Sequence, residues 1–144
     1  MRAVTDARIL SLLGLARRGG NLAMGEEPVS DVCQQHKARV VFLANDAGDT
    51  ICRRAARMAE NGNAPLVTLP WNKAEIGFQL GRATCALLVL TDQGLAATVI
   101  SRLSETDESL KELAEAMTEK TVRQELRREK KKQNTQVGSK PTRR

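Results

Sequence analysis

Arg39-Val40-Val41-Phe42-Leu43-Ala44 is an uninterrupted apolar run behind a single arginine, β-branched in its first half. A strand with no polar alternation has both faces covered. Such a strand needs helices above and below it. Residues 83–90 (Ala-Thr-Cys-Ala-Leu-Leu-Val-Leu) form a second run of this kind, the most apolar in the chain. Residues 65–69, closed by Pro70, read as a third strand, and residues 21–24 as a short edge strand.

Helical patterns separate these runs. After Thr5-Asp6, which offers an N-cap, Ile9, Leu12, Leu13 and Ala16 follow at i, i+3, i+4 and i+7, the spacing of one helix face. Arg17-Arg18 suits the negative end of that helix and Gly19-Gly20 stops it. Gly25-Glu26-Glu27-Pro28 opens a second helix, with Val29, Val32, Cys33 and His36 on its apolar face. A third helix follows the loop at 45–49. It turns Ile51, Ala55, Met58 and Ala59 inward and carries Arg53, Arg54 and Arg57 elsewhere. Asn72 and Glu75 have the spacing of a capping box ahead of a brief helix at 76–80. Thr91-Asp92 begins a helix with Leu95, Ala96, Val99, Ile100 and Leu103 inward. Helices alternating with short strands predict an α/β fold, helices packed on a small sheet.

Composition narrows the function. The chain has 144 residues, 41% apolar and 28% charged, which suits one domain with a tail. Aromatics are 2%, namely Phe42, Trp71 and Phe78. A platform that stacks a row of unpaired bases is not expected from so few. Cys33, Cys52 and Cys85 are odd in number and scattered, without a Cys-x-x-Cys pair. That argues against a disulfide framework or a zinc ribbon. Residues 1–20 hold no leader-like apolar segment, and no run approaches the ~20 residues that span a bilayer. A reduced, cytoplasmic protein without membrane contact is expected.

The net charge of +6 is unevenly placed. Residues 119–144 carry ten basic groups against three acids, while residues 104–118 carry five acids against one lysine. The order is a mildly basic body, an acidic bridge and a basic tail. A tail of this kind is an electrostatic handle for nucleic acid. Apolar residues thin after Leu103, so the compact unit is expected to end near Ser104. A charged helical extension is expected over 104–133 and a basic disordered tail over 134–144.

No catalytic constellation emerges. Cys33 and His36, three apart, would be half of a metal site, but no second pair completes it. A Cys–His nucleophile lacks a third group to orient its base. Asp46 and Asp49, just ahead of a helix, read as caps. Gly77-x-x-x-Gly81 lacks the remaining residues of a phosphate loop. Neither enzymatic activity, nor a cofactor, nor a metal is expected.

Several segments taken together resemble one family. They are Leu10-Ser-Leu-Leu-Gly-Leu-Ala-Arg-Arg-Gly-Gly20, Gly25-Glu26-Glu27 and Val40-Val-Phe-Leu-Ala-Asn-Asp46, then Ile76-Gly-Phe-Gln-Leu-Gly-Arg82 and Leu88-Val-Leu-Thr-Asp92-Gln-Gly-Leu95. In order and spacing they resemble the ribosomal kink-turn RNA-binding superfamily of the archaeal L-seven-Ae and eukaryotic L-thirty-e type. The nearest branch is the small bacterial YlxQ-like ribosomal proteins. The resemblance covers residues 8–103 and leaves the tail outside.

That resemblance implies a three-layer α/β/α sandwich with a four-stranded mixed sheet, forming an RNA-binding domain over 1–103. It also implies a non-catalytic protein that recognises structured RNA, an rRNA or a kinked motif, in association with the ribosome. Gly25 would allow close backbone approach, and Glu26 and Glu27 would meet base edges. Arg17, Arg18 and Arg82 would hold phosphates. Gly81, Ala83 and Thr84 would lie near an extruded base, with Asn45 and Asp46 in the loop between. Aligned on Gly25, the family's reader positions Asn, Glu and Lys are Glu27, Pro28 and Asp31 here, as in a divergent reader. The basic residues from Lys120 to Arg144 would add a nonspecific RNA contact. The alternative class is a protein-interaction adaptor on the same fold, using the acidic residues of 104–118.

Overall fold

The computed structural model describes the backbone of residues 2–138 and the side chains of residues 8–132. Four strands form one mixed sheet: β1 (Leu22–Met24), β2 (Val40–Leu43), β3 (Leu66–Thr68) and β4 (Leu87–Leu90). Their order is β1-β4-β2-β3. β4 is antiparallel to β1 and β2, and β2 is parallel to β3. The two runs that lack polar alternation, β2 and β4, are therefore the central strands. All eight of their residues are buried.

Alternation along those strands feeds two cores. Val40, Phe42, Leu88 and Leu90 point to one face. They meet α1 (Arg2–Arg18), α4 (Lys73–Leu80) and α5 (Gln93–Ser104) through Ile9, Leu13, Ile76, Leu80 and Ile100. Val41, Leu43, Leu87 and Val89 point to the other. There they pack on α2 (Glu26–Gln34) and α3 (Asp49–Asn61) through Val29, Cys33, Ala55 and Ala59. This is the α/β/α sandwich that the resemblance implies, and a one-residue slip in either central strand would exchange its cores.

Local signals hold where they were strongest. The Asn72 side chain accepts from the Glu75 amide at 2.8 Å, and the Glu75 carboxylate accepts from the Asn72 amide at 2.9 Å. Asp92 caps α5 by accepting from the Leu95 amide at 2.9 Å.

The structure corrects four expectations. Helix α1 begins at Arg2, so Thr5 and Asp6 lie inside it and do not cap it. His36 is exposed beyond the end of α2, with φ of 58°. The chain has left the helix before His36, and the residue does not share the buried face of Cys33. Third, the core continues past Ser104. After a short 3-10 turn (Glu108–Leu110), α6 (Lys111–Gly138) lays Ala114 and Met117 into the core formed with α5. Leu110 and Leu113 are half-buried beside them. The Gln93 amide, itself buried, donates to the Met117 carbonyl at 3.1 Å. α6 also continues past Asn134, where disorder was expected, to Gly138. Residues 139–144 lie outside the described part.

Candidate nucleic-acid interface

Strand register determines which loops meet. Met24 is paired with Leu88, Leu43 with Leu87, and Leu43 with Thr68. The ends of β1, β2 and β3 and the start of β4 therefore share one end of the sheet. Gly25, the 44–48 loop, the turn into α4 and the α4–β4 loop emerge there together.

Backbone hydrogen bonds bind these loops to one another. The Gly25 amide donates to the Leu87 carbonyl (3.0 Å), Ala44 to Ala86 (3.0 Å), Asn45 to Trp71 (2.9 Å) and Cys85 to Lys73 (2.9 Å). The Asp46 carboxylate accepts from the Lys73 amide at 2.8 Å. Asp46 thus ties the β2–α3 loop to the first turn of α4. The sequence reading of a cap is right in kind, but the helix capped is α4 and not the adjacent α3.

Two glycines with positive φ shape the surface. Gly25, at φ 95°, precedes α2 and offers no side-chain cap to it. A β-carbon placed there would sit 3.9 Å from Arg82 Nη1, so the guanidinium of the α4–β4 loop reaches the start of α2. Gly81, at φ 78°, ends α4. The Arg82 amide donates to Gly77 at 2.8 Å and the Gly81 amide to Phe78 at 3.4 Å. These paired bonds are the Schellman ending that a left-handed glycine allows. Arg17 Nη1 covers Gly81, 3.2 Å from where its β-carbon would be.

The arginines predicted as a pair therefore diverge. Arg17 joins the loop end at Gly81. Arg18 runs back along α1, with Nη1 3.9 Å from the β-carbon position of Gly14. It lines a groove with Arg8 and Arg102. Glu26 is engaged by Arg54 Nη1 at 2.7 Å. Both groups are partly exposed, so the pair orients Glu26 and contributes little to stability. Glu27, Asn45, Ala83 and Thr84 are exposed at this end.

Sequence reasoning overlooked two residues here. By its spacing Arg54 is only one of the outward positions of α3. Nothing local marks its contact, which crosses 28 residues of chain. Phe78 is 86% exposed, whereas Phe42 and Trp71 are buried. The signal existed: with Ile76 and Leu80 inward on a short helix, Phe78 falls on the outer face.

The buried thiols have little nucleophilic character. Burial pushes Cys33 up, and burial also raises Cys85, against smaller opposing effects from the Leu87 backbone and the Arg82 charge. A raised thiol is protonated near neutrality. Among the described residues no group of three His, Cys, Asp or Glu side chains could hold a metal ion. No described helix is long and apolar enough to cross a membrane.

Comparison with known proteins follows the same outline. Over 89 residues the chain is 30% identical to the RNA-binding protein YlxQ of Enterococcus faecium, covering 62% of this chain and 84% of that protein. The chain belongs to the YlxQ family. A second YlxQ, the RNA-binding protein of that name from Bacillus subtilis (strain 168), is 28% identical over 92 residues, with 64% of this chain and 91% of that protein covered. A solved structure of a Bacillus halodurans C protein with unknown function superposes with a TM-score of 0.62 at 26% identity, over 68% of this chain and 98% of that one. No family model matches the chain. The YlxQ proteins are thus shorter partners for about two thirds of this chain.

Proposed function

We propose that this protein is a non-catalytic RNA-binding protein that grips structured RNA with the sheet end formed by Gly25 to Glu27, Arg54 and Gly81 to Thr84. The observation that carries the reading is the convergence of Arg82 on Gly25 and of Arg17 on Gly81. The α4–β4 loop and the last turn of α1, distant in sequence, place guanidiniums over two glycines, where an RNA backbone can approach closely. The name of the YlxQ relatives, RNA-binding protein, supports it.

The finer reading is a bent or kinked RNA motif, in rRNA and at the ribosome, in the cytoplasm, in keeping with the kink-turn superfamily. The reader positions Glu27, Pro28 and Asp31 alter the chemistry. Carboxylates accept hydrogen bonds from guanine N–H groups and cannot donate, and Asp31 opposes a phosphate. Selectivity for guanine edges follows, in place of the amide contact of an asparagine.

The test is Arg82→Ala, measured against a kink-turn hairpin and a fully paired RNA of equal length. The expected result is roughly tenfold weaker binding to the hairpin, the loss of one charge-assisted contact, with the thermal melt unchanged. Affinity that survives the substitution at low salt would remove Arg82 and this face from RNA recognition.

The basic part of α6 contributes affinity without choice in the same reading. From residue 122 to its end at 138 it holds six basic groups and two acids, and no aromatic residue to stack a base. Its only large exposed apolar groups among the described residues are Val122 and Leu126. Ending the chain after Thr121 keeps Ala114 and Met117 and removes this segment. The expected outcome is a similar loss of affinity for every RNA and a salt slope shallower by several units, at about 0.9 per duplex phosphate contacted. Parallel salt titrations for the two chains would exclude α6 as a nucleic-acid arm.

A further inference from the structure

On the outer side of the sandwich, away from α2 and α3, α1 and α5 border an open groove of about 460 Å³ lined by Arg8, Ser11, Leu12, Leu15, Arg18 and Arg102. Three guanidiniums share it, and no acid among the described residues lines it. None of the three is ion-paired among the described residues. Arg102 Nε is buried without a hydrogen-bond partner. A buried N–H is rarely left unmatched, and like charges gathered without acids repel unless an anion joins them.

We propose that this groove is a second RNA-backbone contact, which receives the phosphates of a stem leaving the motif held at the Gly25 end. The proposal rests on the RNA-binding reading above. Continuity argues for it. Arg82 reaches Gly25, Arg17 covers Gly81, and the next residue, Arg18, opens the groove that Arg8 and Arg102 continue. Arg8 and Arg18 are ten residues apart on α1, or about 15 Å at 1.5 Å per residue. That is a reach of roughly four phosphates of one strand at about 3.4 Å each. The groove's apolar part is too small to seat a partner helix. Leu12 is half-buried against the core, which leaves Leu15, 52% exposed, as the one apolar side chain on offer. RNA phosphates need only the arginines.

Arg8→Gln/Arg102→Gln and the single Arg8→Gln separate this contact from the loop end, because neither residue belongs to that end. Arg8 is exposed, so the single variant decides the matter if the double one is unstable. The probes are a kink-turn hairpin whose outer stem is about 5 base pairs and the same hairpin extended to about 15. Expected for the long-stem RNA is a roughly tenfold loss in the double variant and roughly threefold in the single one, typical of exposed charge contacts. The salt slope should be shallower by about 1.8 and 0.9. Affinity for the short-stem RNA should be unchanged. Equal losses on both RNAs, or no loss on either, overturn the proposal, and the latter leaves the groove to an acidic protein partner. If the unsubstituted protein binds neither RNA, the RNA-binding reading falls and the groove contact falls with it.

Discussion

Ending the chain after Thr106 lowers stability by about 3–5 kcal/mol, an expected loss that would consume much of the margin of a domain this size. Met117 and Ala114 are 5% and 6% exposed, and Leu110 and Leu113 are half-buried against the same core. Burying a methionine side chain is worth about 1.5–3 kcal/mol, with smaller contributions from the alanine and the half-buried leucines. Releasing α6 returns conformational entropy, which keeps the net loss below the sum of these parts. The Gln93–Met117 bond disappears as well. For a chain of about 100 residues each kcal/mol shifts the melting temperature by about 4–8 °C, so the midpoint falls by more than about 12 °C. Thermal melts of the full chain, a chain ending at Thr121 and one ending at Thr106 test this. The first two should coincide. A 1–106 melt within a few degrees of the full chain would mean that α6 rests on the core without supporting it.

Gly77→Ala is the second large effect, and it falls on stability and RNA binding together. A β-carbon there would lie 2.7 Å from Thr84 Cα, 2.9 Å from Arg82 O and 2.9 Å from Thr84 C. Carbon atoms in contact prefer about 3.5–4.0 Å. All three neighbours are backbone, so no side chain can swing away and the α4–β4 loop must move. Overpacking of this kind costs about 1–3 kcal/mol, which exceeds the ~1 kcal/mol that alanine gains over glycine inside a helix. The displaced loop carries Arg82, so RNA affinity should fall at least as far as in Arg82→Ala. Gly14→Ala is the control. Its β-carbon would come within 3.3 Å of Gln79 Nε2, the tip of a flexible side chain. That variant should be neutral or slightly stabilised. A Gly77→Ala protein that melts and binds like the original would show that the loop does not depend on its close approach to α4.

The α6 and Asp46 results share a cause. Leu110, Leu113 and Met117 have the spacing of one helical stripe, yet the stretch is rich in acids and the apolar spacing beyond it thins. Composition argued for an extension, and burial was settled by the unfilled face of α5 against which the stripe packs. Asp46 carried the signature of a helix cap. Which helix it caps depends on the proximity of the 44–48 loop to Lys73, a relation that only the sheet register creates.

The sequence by itself determined the layer pattern. Runs 39–44 and 83–90 without polar alternation had to be central strands, because exposed polar positions are what mark a sheet face open to water. The caps at Asn72 and Asp92 were equally local, because each partner lies three residues away. Which of the candidate site residues touch was decided by tertiary structure alone. Arg82 meets Gly25 across 57 positions of chain, Arg54 meets Glu26 across 28, and Arg17 and Arg18, adjacent in sequence, part toward Gly81 and toward Arg102. Neighbouring helix positions point about 100° apart, and residues distant in sequence meet only where strand pairing brings their loops to one end. Side-chain spacing records the first kind of relation, and the closed sheet creates the second.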